Sequence, residues 1–177
     1  MVAPDVIDDH IARLRDAYGD VPVETATTTH SARTWGRVRE LHERGVPGAA
    51  RVWVERDDAA LLVRERRAGD RWGVPGGLVE PGEHVDRAGE REVREETGVV
   101  CDVVDVVYVH RARRTPADGV EADRDEPIEE LAAAFVAEFV EGATRSGAGE
   151  TAAVDWWESL PDRIRPPTTR LASGRPG

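Results

Sequence analysis

Gly77-Leu-Val-Glu-Pro-Gly-Glu-His-Val-Asp-Arg-Ala-Gly-Glu-Arg-Glu-Val-Arg-Glu-Glu-Thr-Gly-Val99 is the stretch on which the fold of this chain turns. Gly76, Gly77 and Gly82 supply a loop that can take positive φ or come close to a ligand. The polar run behind it predicts a helix from about His84 to Thr97, stopped by Gly98. At about 100° per residue, Glu92, Glu95 and Glu96 fall on one helix face within a turn and a half. Like charges that close repel, and Arg91 and Arg94 interleave with them as they would on an ordinary solvated face. The joint pattern points elsewhere. Three carboxylates on one face, a fourth at Glu83 and a glycine loop in front make a site for a hard divalent cation bridging to phosphate oxygens. Oxygen-only ligands suit Mg2+, with Mn2+ as a substitute.

The order Gly-x5-Glu-x7-Arg-Glu-U-x-Glu-Glu-x-Gly-U, with U a bulky apolar residue, resembles the signature of the Nudix hydrolases and is matched at Gly77, Glu83, Arg91, Glu92, Val93, Glu95, Glu96, Gly98 and Val99. The preceding Trp72-Gly-Val-Pro-Gly-Gly77 likewise resembles the short strand that delivers the chain to that loop. The resemblance implies a mixed α/β fold, a Nudix-type α/β/α sandwich, over roughly residues 49–164. It also implies a reaction: metal-assisted attack of water on a phosphorus atom of a nucleoside diphosphate linked to another moiety. On this reading Glu92 and Glu96 are direct metal ligands, Glu95 is a third ligand or the base, and Glu83 is an outer ligand. Arg91 orients a glutamate, and Gly76 and Gly77 let the loop fold over the helix against substrate. Gly89 stands where the family often has Ala, and close packing would account for it. ADP-ribose or a modified nucleoside triphosphate leads among substrates, since the motifs of the dinucleoside polyphosphate and NADH branches are absent.

Around this stretch, 177 residues suggest one domain. With 35 acids against 24 bases the net charge is −11, and every base is Arg. An acidic, Lys-free chain resembles proteins of salt-accumulating cells, where molar salt screens the repulsion, and a halophilic origin is expected ahead of a GC-rich genome that replaces Lys by Arg. A chain this acidic is a poor partner for nucleic acid. Cys101 is the only cysteine, which fits a reducing cytoplasm. No basic-then-apolar leader is present and no run approaches about 18 apolar residues, so neither export nor a membrane span is expected.

Residues 1–48 read as an N-terminal helical appendage, packed on the main fold or forming a homodimer surface. Ile7, Ile11, Leu14 and Tyr18 recur at helical spacing, and Ser31 to Arg44 predicts a second helix with Trp35 and Val38 inward. Between them Val21 to Thr25 reads as a strand and Thr27 to His30 as a loop. The alternation of Arg51 to Glu55 and then Ala60 to Arg64 predicts a β-hairpin. Val103 to Arg111, Leu131 to Glu141 and Ala152 to Trp157 read as strands, the second against the helical propensity of its alanines. Glu158 to Ile164 predicts a short helix and residues 165–177 a disordered tail.

Two loops frame the signature. The first, Ala112 to Pro127, carries Asp118, Glu121, Asp123, Asp125 and Glu126. The second, Ala143 to Glu150, ends where some Nudix enzymes keep a glutamate that binds metal or acts as base, so Glu150 joins the candidates. Trp156 and Trp157 adjoin on a strand and must face opposite ways, and Trp72 could stack on a base. A non-catalytic nucleotide sensor on the same fold is the rival reading. An isopentenyl diphosphate isomerase, which needs a cysteine upstream of the signature, does not fit Cys101.

Overall fold

The alanine-rich run that opens at Leu131 has the composition of a helix and forms a strand, because its alternate residues have two different cores to fill. The computed structural model describes residues 1–2, 5–120, 127–145 and 150–173. Its elements are α1 (Val6–Tyr18), β1 (Val23–His30), α2 (Ala32–Glu43), β2 (Gly48–Arg56), β3 (Ala59–Glu65), β4 (Trp72–Gly73), α3 (Val85–Thr97), β5 (Val100–Pro116), β6 (Ile128–Glu141), β7 (Thr151–Trp157) and α4 (Pro166–Ser173). Along β6, Leu131, Ala133, Phe135 and Ala137 enter one buried cluster, while Ala134 and Val136 enter another. A helix would bury a single stripe; only a period of two serves both faces.

The sheet runs β1-β5-β6-β2-β3-β4, with β7 also paired to β3. β1 joins β5 and β2 joins β6 in parallel, and the remaining pairs are antiparallel. This is the mixed α/β architecture the sequence led us to expect. Helices α1 and α3 pack on one face through Ile7, Ile11, Leu14, Val85, Ala88 and Val93. Leu171 of α4 closes the other face over Trp53, Leu62 and Val74. Trp35 and Val38 of α2 make a smaller cluster with Ile128. Trp156 and Trp157 divide as their spacing requires: the first packs against the α1/α3 core and the second against the α4 core. Among the described residues no helix is long and apolar enough to cross a membrane.

The structure departs from the sequence reading at both ends. Residues 1–48 enter the sheet itself, with β1 in register along β5 from Val23↔Val109 to His30↔Pro116. The Thr27–His30 run is therefore strand and not loop. Glu158–Ile164 makes bends and an isolated bridge from Ile164 to Trp72 in place of a helix, and Pro166–Ser173 is helical where the sequence predicts a disordered tail. β5 reaches Pro116, so part of the first framing loop is strand. There Arg113 and Arg114 pair with Glu129 and Glu130 across the ladder. Glu121, Asp123, Asp125 and Glu126 lie outside the described residues.

The place of α1 in the main core has a measurable consequence. Leu14 is 2% exposed within the cluster that also holds Val52 and Phe135. Leu14→Ala is expected to destabilise the whole domain by about 2–5 kcal/mol in urea unfolding. A loss under about 1 kcal/mol would show instead that residues 1–48 are detachable.

Candidate active site

The signature loop is held as an irregular strand alongside β2. Ala50 N–H donates to Gly77 O at 2.9 Å, Val52 N–H to Pro75 O at 3.1 Å and Val79 N–H to Gly48 O at 3.0 Å. Gly76 has φ +140°, and a Cβ on it would sit 2.2 Å from Ala50 O. The loop lies on the sheet only because nothing projects there.

α3 then comes down on the same strand. His84 caps it in extended conformation, and Gly98 ends it in the left-handed region, its N–H donating to Arg94 O at 2.9 Å. Gly89 faces β2 so closely that a Cβ would lie 2.8 Å from a Val52 methyl, which explains glycine in a helix interior. With the helix pressed against β2, its acidic face meets the loop. Gly76 N–H donates to Glu96 Oε2 at 3.0 Å. A Cβ on Gly77 would lie 2.4 Å from the Glu92 carboxyl carbon, so that glycine leaves room for the carboxylate.

Arg91 gathers the rest. Its Nε and one terminal nitrogen donate to the two oxygens of Glu83 at 2.9 and 3.0 Å. Its other terminal nitrogen reaches Glu92 at 2.9 Å and Glu95 at 3.3 Å, while the one that meets Glu83 also donates to Leu78 O at 2.9 Å. This bidentate contact fixes Glu83 relative to the helix, while Glu95 stays 60% exposed.

Burial sorts these carboxylates. Desolvation, with repulsion from Glu92 and Glu65 behind it, pushes Glu96 up from the ordinary 4.5 to about 7; the Gly76 hydrogen bond and Arg51 oppose the rise. Glu92 is also raised by desolvation, against the pull of Arg91. Glu83 is lowered by its hydrogen bond to Arg91, and Arg91 is raised in turn, first by Glu83. Two desolvated carboxylates that repel each other, with only oxygen donors around them, fit a hard divalent cation. Among the described residues no three acids, histidines or cysteines converge as an ion would need. Arg91 donates to Glu83, Glu92 and Glu95, and that set of contacts holds them in their present arrangement.

Of the residues expected from sequence, Glu83, Arg91, Glu92, Glu95, Glu96, Gly76 and Gly77 are thus brought together. Two are not. The Glu150 side chain is 69% exposed and 3.8 Å from Arg67, and its carbonyl accepts from Arg66 N–H, so its contacts are with the chain that follows β3. Trp72 stacks edge-on against Trp157 at 5.1 Å between centroids, at the margin of the α4 core. Residues missed by the sequence reading also surround the pair. Arg51 of β2, Glu65 of β3 and Arg165 before α4 all act electrostatically on Glu96 or on one another. Arg165 pairs with Glu65 and donates to Val74 O at 3.3 Å. Arg51 left one signal in the sequence: a charge inside the otherwise apolar run Ala49 to Val54.

Comparison with known proteins identifies the family and the fold. Residues 45–170 match the family model described as the NUDIX domain. Diphosphoinositol polyphosphate phosphohydrolase 3-alpha of Mus musculus is 58% identical over 45 residues, 25% of this chain and 27% of that protein. An 8-oxo-dGDP phosphatase of Mus musculus is 37% identical over 60 residues, 33% of this chain and 19% of that protein. The match thus spans about a quarter or less of the length of these relatives. The crystal structure of a MutT NUDIX hydrolase from Burkholderia pseudomallei superposes with a TM-score of 0.55 at 26% identity, covering 72% of this chain and 96% of that one. An ADP-ribose pyrophosphatase from Streptococcus suis, at 19% identity and TM-score 0.51 over 70% of this chain and 85% of that one, shares the fold.

Proposed function

This chain belongs to the Nudix family, and from that premise we propose that it is a Mg2+-dependent pyrophosphohydrolase. Its substrate on this reading is a nucleoside diphosphate linked to another moiety, an ADP-ribose-like compound or a nucleoside triphosphate. One observation carries the reading: the half-buried Glu92 and Glu96 side by side against the Gly76–Gly77 loop, with Glu96 raised to about 7. Names of similar proteins point the same way, since diphosphoinositol polyphosphates and 8-oxo-dGDP both contain a phosphoanhydride bond.

Glu92 and Glu96 would hold the ion, with Glu95 as third ligand or as the base and Glu83 as an outer ligand. A bound divalent cation supplies charge neutralisation on the phosphate oxygens and on the leaving group. The chain's own residues do the rest. Gly76 N–H fixes one oxygen of Glu96 and leaves the other free. Arg91 aims Glu92 and ties it to Glu83, which makes Arg91 a positioning residue. Glu95, exposed and bound only weakly to Arg91, is free to take a proton from water.

The raised Glu96 makes ion binding and stability depend on pH in opposite ways. Its proton is bound more tightly in the folded than in the unfolded chain, so its contribution to metal-free stability is full below 4.5 and is lost as pH rises through about 7. Binding an ion must expel that proton, about nine-tenths of one at pH 6 and about a tenth at pH 8. Mn2+ calorimetry in buffers of different ionisation enthalpy measures the release. Equal release at both pH values, or an unchanged slope of metal-free melting temperature against pH in Glu96→Gln, would contradict the assignment.

The reaction itself is tested by a panel of ADP-ribose, dinucleoside polyphosphates, NADH, coenzyme A and canonical and oxidised nucleoside triphosphates, with Mg2+, at low and molar KCl. Turnover of one class that chelator abolishes is the expected result. Binding without turnover across the panel would favour the sensor reading.

A further inference from the structure

We infer that Arg51 is a phosphate-binding residue of this site, its guanidinium placed to grip non-bridging oxygens of the substrate's pyrophosphate. The inference rests on the hydrolase reading and adds to it a residue that the signature does not contain. β2 is otherwise apolar at this level: Ala50, Val52 and Trp53 on either side are at most 3% exposed. A charge here bears a desolvation cost, and desolvation is the first cause lowering Arg51, with the Arg165 cation adding to it. Such a group persists when it is paired or when it is used.

The protein pairs it poorly. Among the described residues its one hydrogen bond runs to its neighbour's carbonyl, Ala50 O, at 3.2 Å, and no carboxylate stands close enough for an ion pair. A guanidinium has five N–H donors in a planar fork. Glu96, Glu65 and Glu92 attract it from α3 and β3 without bonding to it. The other arginines at the glutamates are committed. Arg91 donates to Glu83, Glu92, Glu95 and Leu78 O, and Arg165 to Glu65 and Val74 O. Arg51 is the cation here with donors left over.

Its place is also fixed. The signature loop hydrogen-bonds to Ala50 and Val52 on both sides of it, and Gly76 crosses so near that a Cβ there would lie 2.9 Å from Arg51 Cα. Loop, carboxylate pair and guanidinium therefore form one assembly. A pyrophosphate drawn to a cation at Glu92 and Glu96 presents paired oxygens, which a planar fork engages and an ammonium engages less well.

Inorganic pyrophosphate with Mg2+ is the probe, titrated calorimetrically into wild type, Arg51→Met and Arg51→Lys. We expect Arg51→Met to bind it at least about thirtyfold more weakly and Arg51→Lys about tenfold more weakly. Mn2+ affinity should not fall in either variant, since a cation near the carboxylates opposes the ion. Should Arg51→Met fail to fold, Arg51→Lys, which keeps the charge, decides alone. Wild-type pyrophosphate affinity in Arg51→Lys, or in a folded Arg51→Met, would overturn the inference, as would no pyrophosphate binding by wild type. A purely structural Arg51 would shift the melting temperature and leave pyrophosphate affinity alone. If no panel compound is turned over while pyrophosphate binding still depends on Arg51, only the catalytic part of the hydrolase reading falls, and its metal–phosphate site, with Arg51 in it, stands.

Discussion

Glu96→Gln is expected to keep the fold and to lower kcat/KM by at least about a hundredfold at saturating Mg2+. The amide is isosteric with the carboxyl and still offers an oxygen to Gly76 N–H, whose bond to Glu96 Oε2 is 3.0 Å. Because burial already holds Glu96 up to about 7, the neutral side chain resembles the protonated form that the metal-free fold tolerates near neutrality. The variant should therefore melt no lower than wild type at pH 8 without metal. It loses the negative charge that would neutralise an ion, and with it the electrostatic stabilisation on which phosphoryl transfer depends. Steady-state kinetics with the substrate found in the panel, beside a melting curve, separates chemistry from folding. A variant that folds and turns over near the wild-type rate would remove Glu96 from the mechanism.

Gly76→Ala is expected to cost about 2–4 kcal/mol of stability and to lower kcat/KM at least about tenfold. Its φ of +140° is closed to side-chain-bearing residues, and the new Cβ would meet backbone, Ala50 O at 2.2 Å and Arg51 Cα at 2.9 Å. Neither atom can move without opening β2. The loop must lift instead, loosening the bonds from Val52 and Ala50 to Pro75 and Gly77 and the one that fixes Glu96. Gly82→Ala is the control: φ is also positive, +80°, but nothing lies within 4 Å of a Cβ there, so the cost should stay near 1 kcal/mol. Gly77→Ala differs again, because its Cβ meets the movable end of Glu92, and activity should suffer more than stability. Urea unfolding compares them directly. Equal costs for Gly76→Ala and Gly82→Ala would mean the loop does not lie on β2 as described.

How much of this was legible in the sequence follows from how locally each feature is encoded. The α3 carboxylate face, the Gly98 stop and the opposed Trp156 and Trp157 rest on helical or strand periods within a few residues. All three are found as expected. β1 could not be read to its end because its six central residues, Glu24 to Thr29, are exposed, so it has no alternation to detect. What makes it a strand is the parallel edge of β5, more than eighty residues later in the chain. α4 has the sequence of a disordered tail because two buried side chains, Thr168 and Leu171, behind a pair of prolines give no periodic apolar pattern. Glu150 was suggested by position in the family pattern, and the position places its backbone at the start of β7 while the side chain turns to Arg67. In the sequence Arg51 is only one step of an alternating strand. Its meaning depends on Glu92 and Glu96 arriving over the same strand, which no local window contains.

The proposed chemistry depends on Glu92 and Glu96 holding a divalent cation at the signature loop. Electron paramagnetic resonance titration of Mn2+ into the metal-free protein at pH 8 tests it most directly, with the Glu92→Gln/Glu96→Gln double variant beside wild type. Wild type should bind the ion and release it to Mg2+, and the double variant, folded by its melting curve, should not retain it. Mn2+ held equally by both proteins would contradict it.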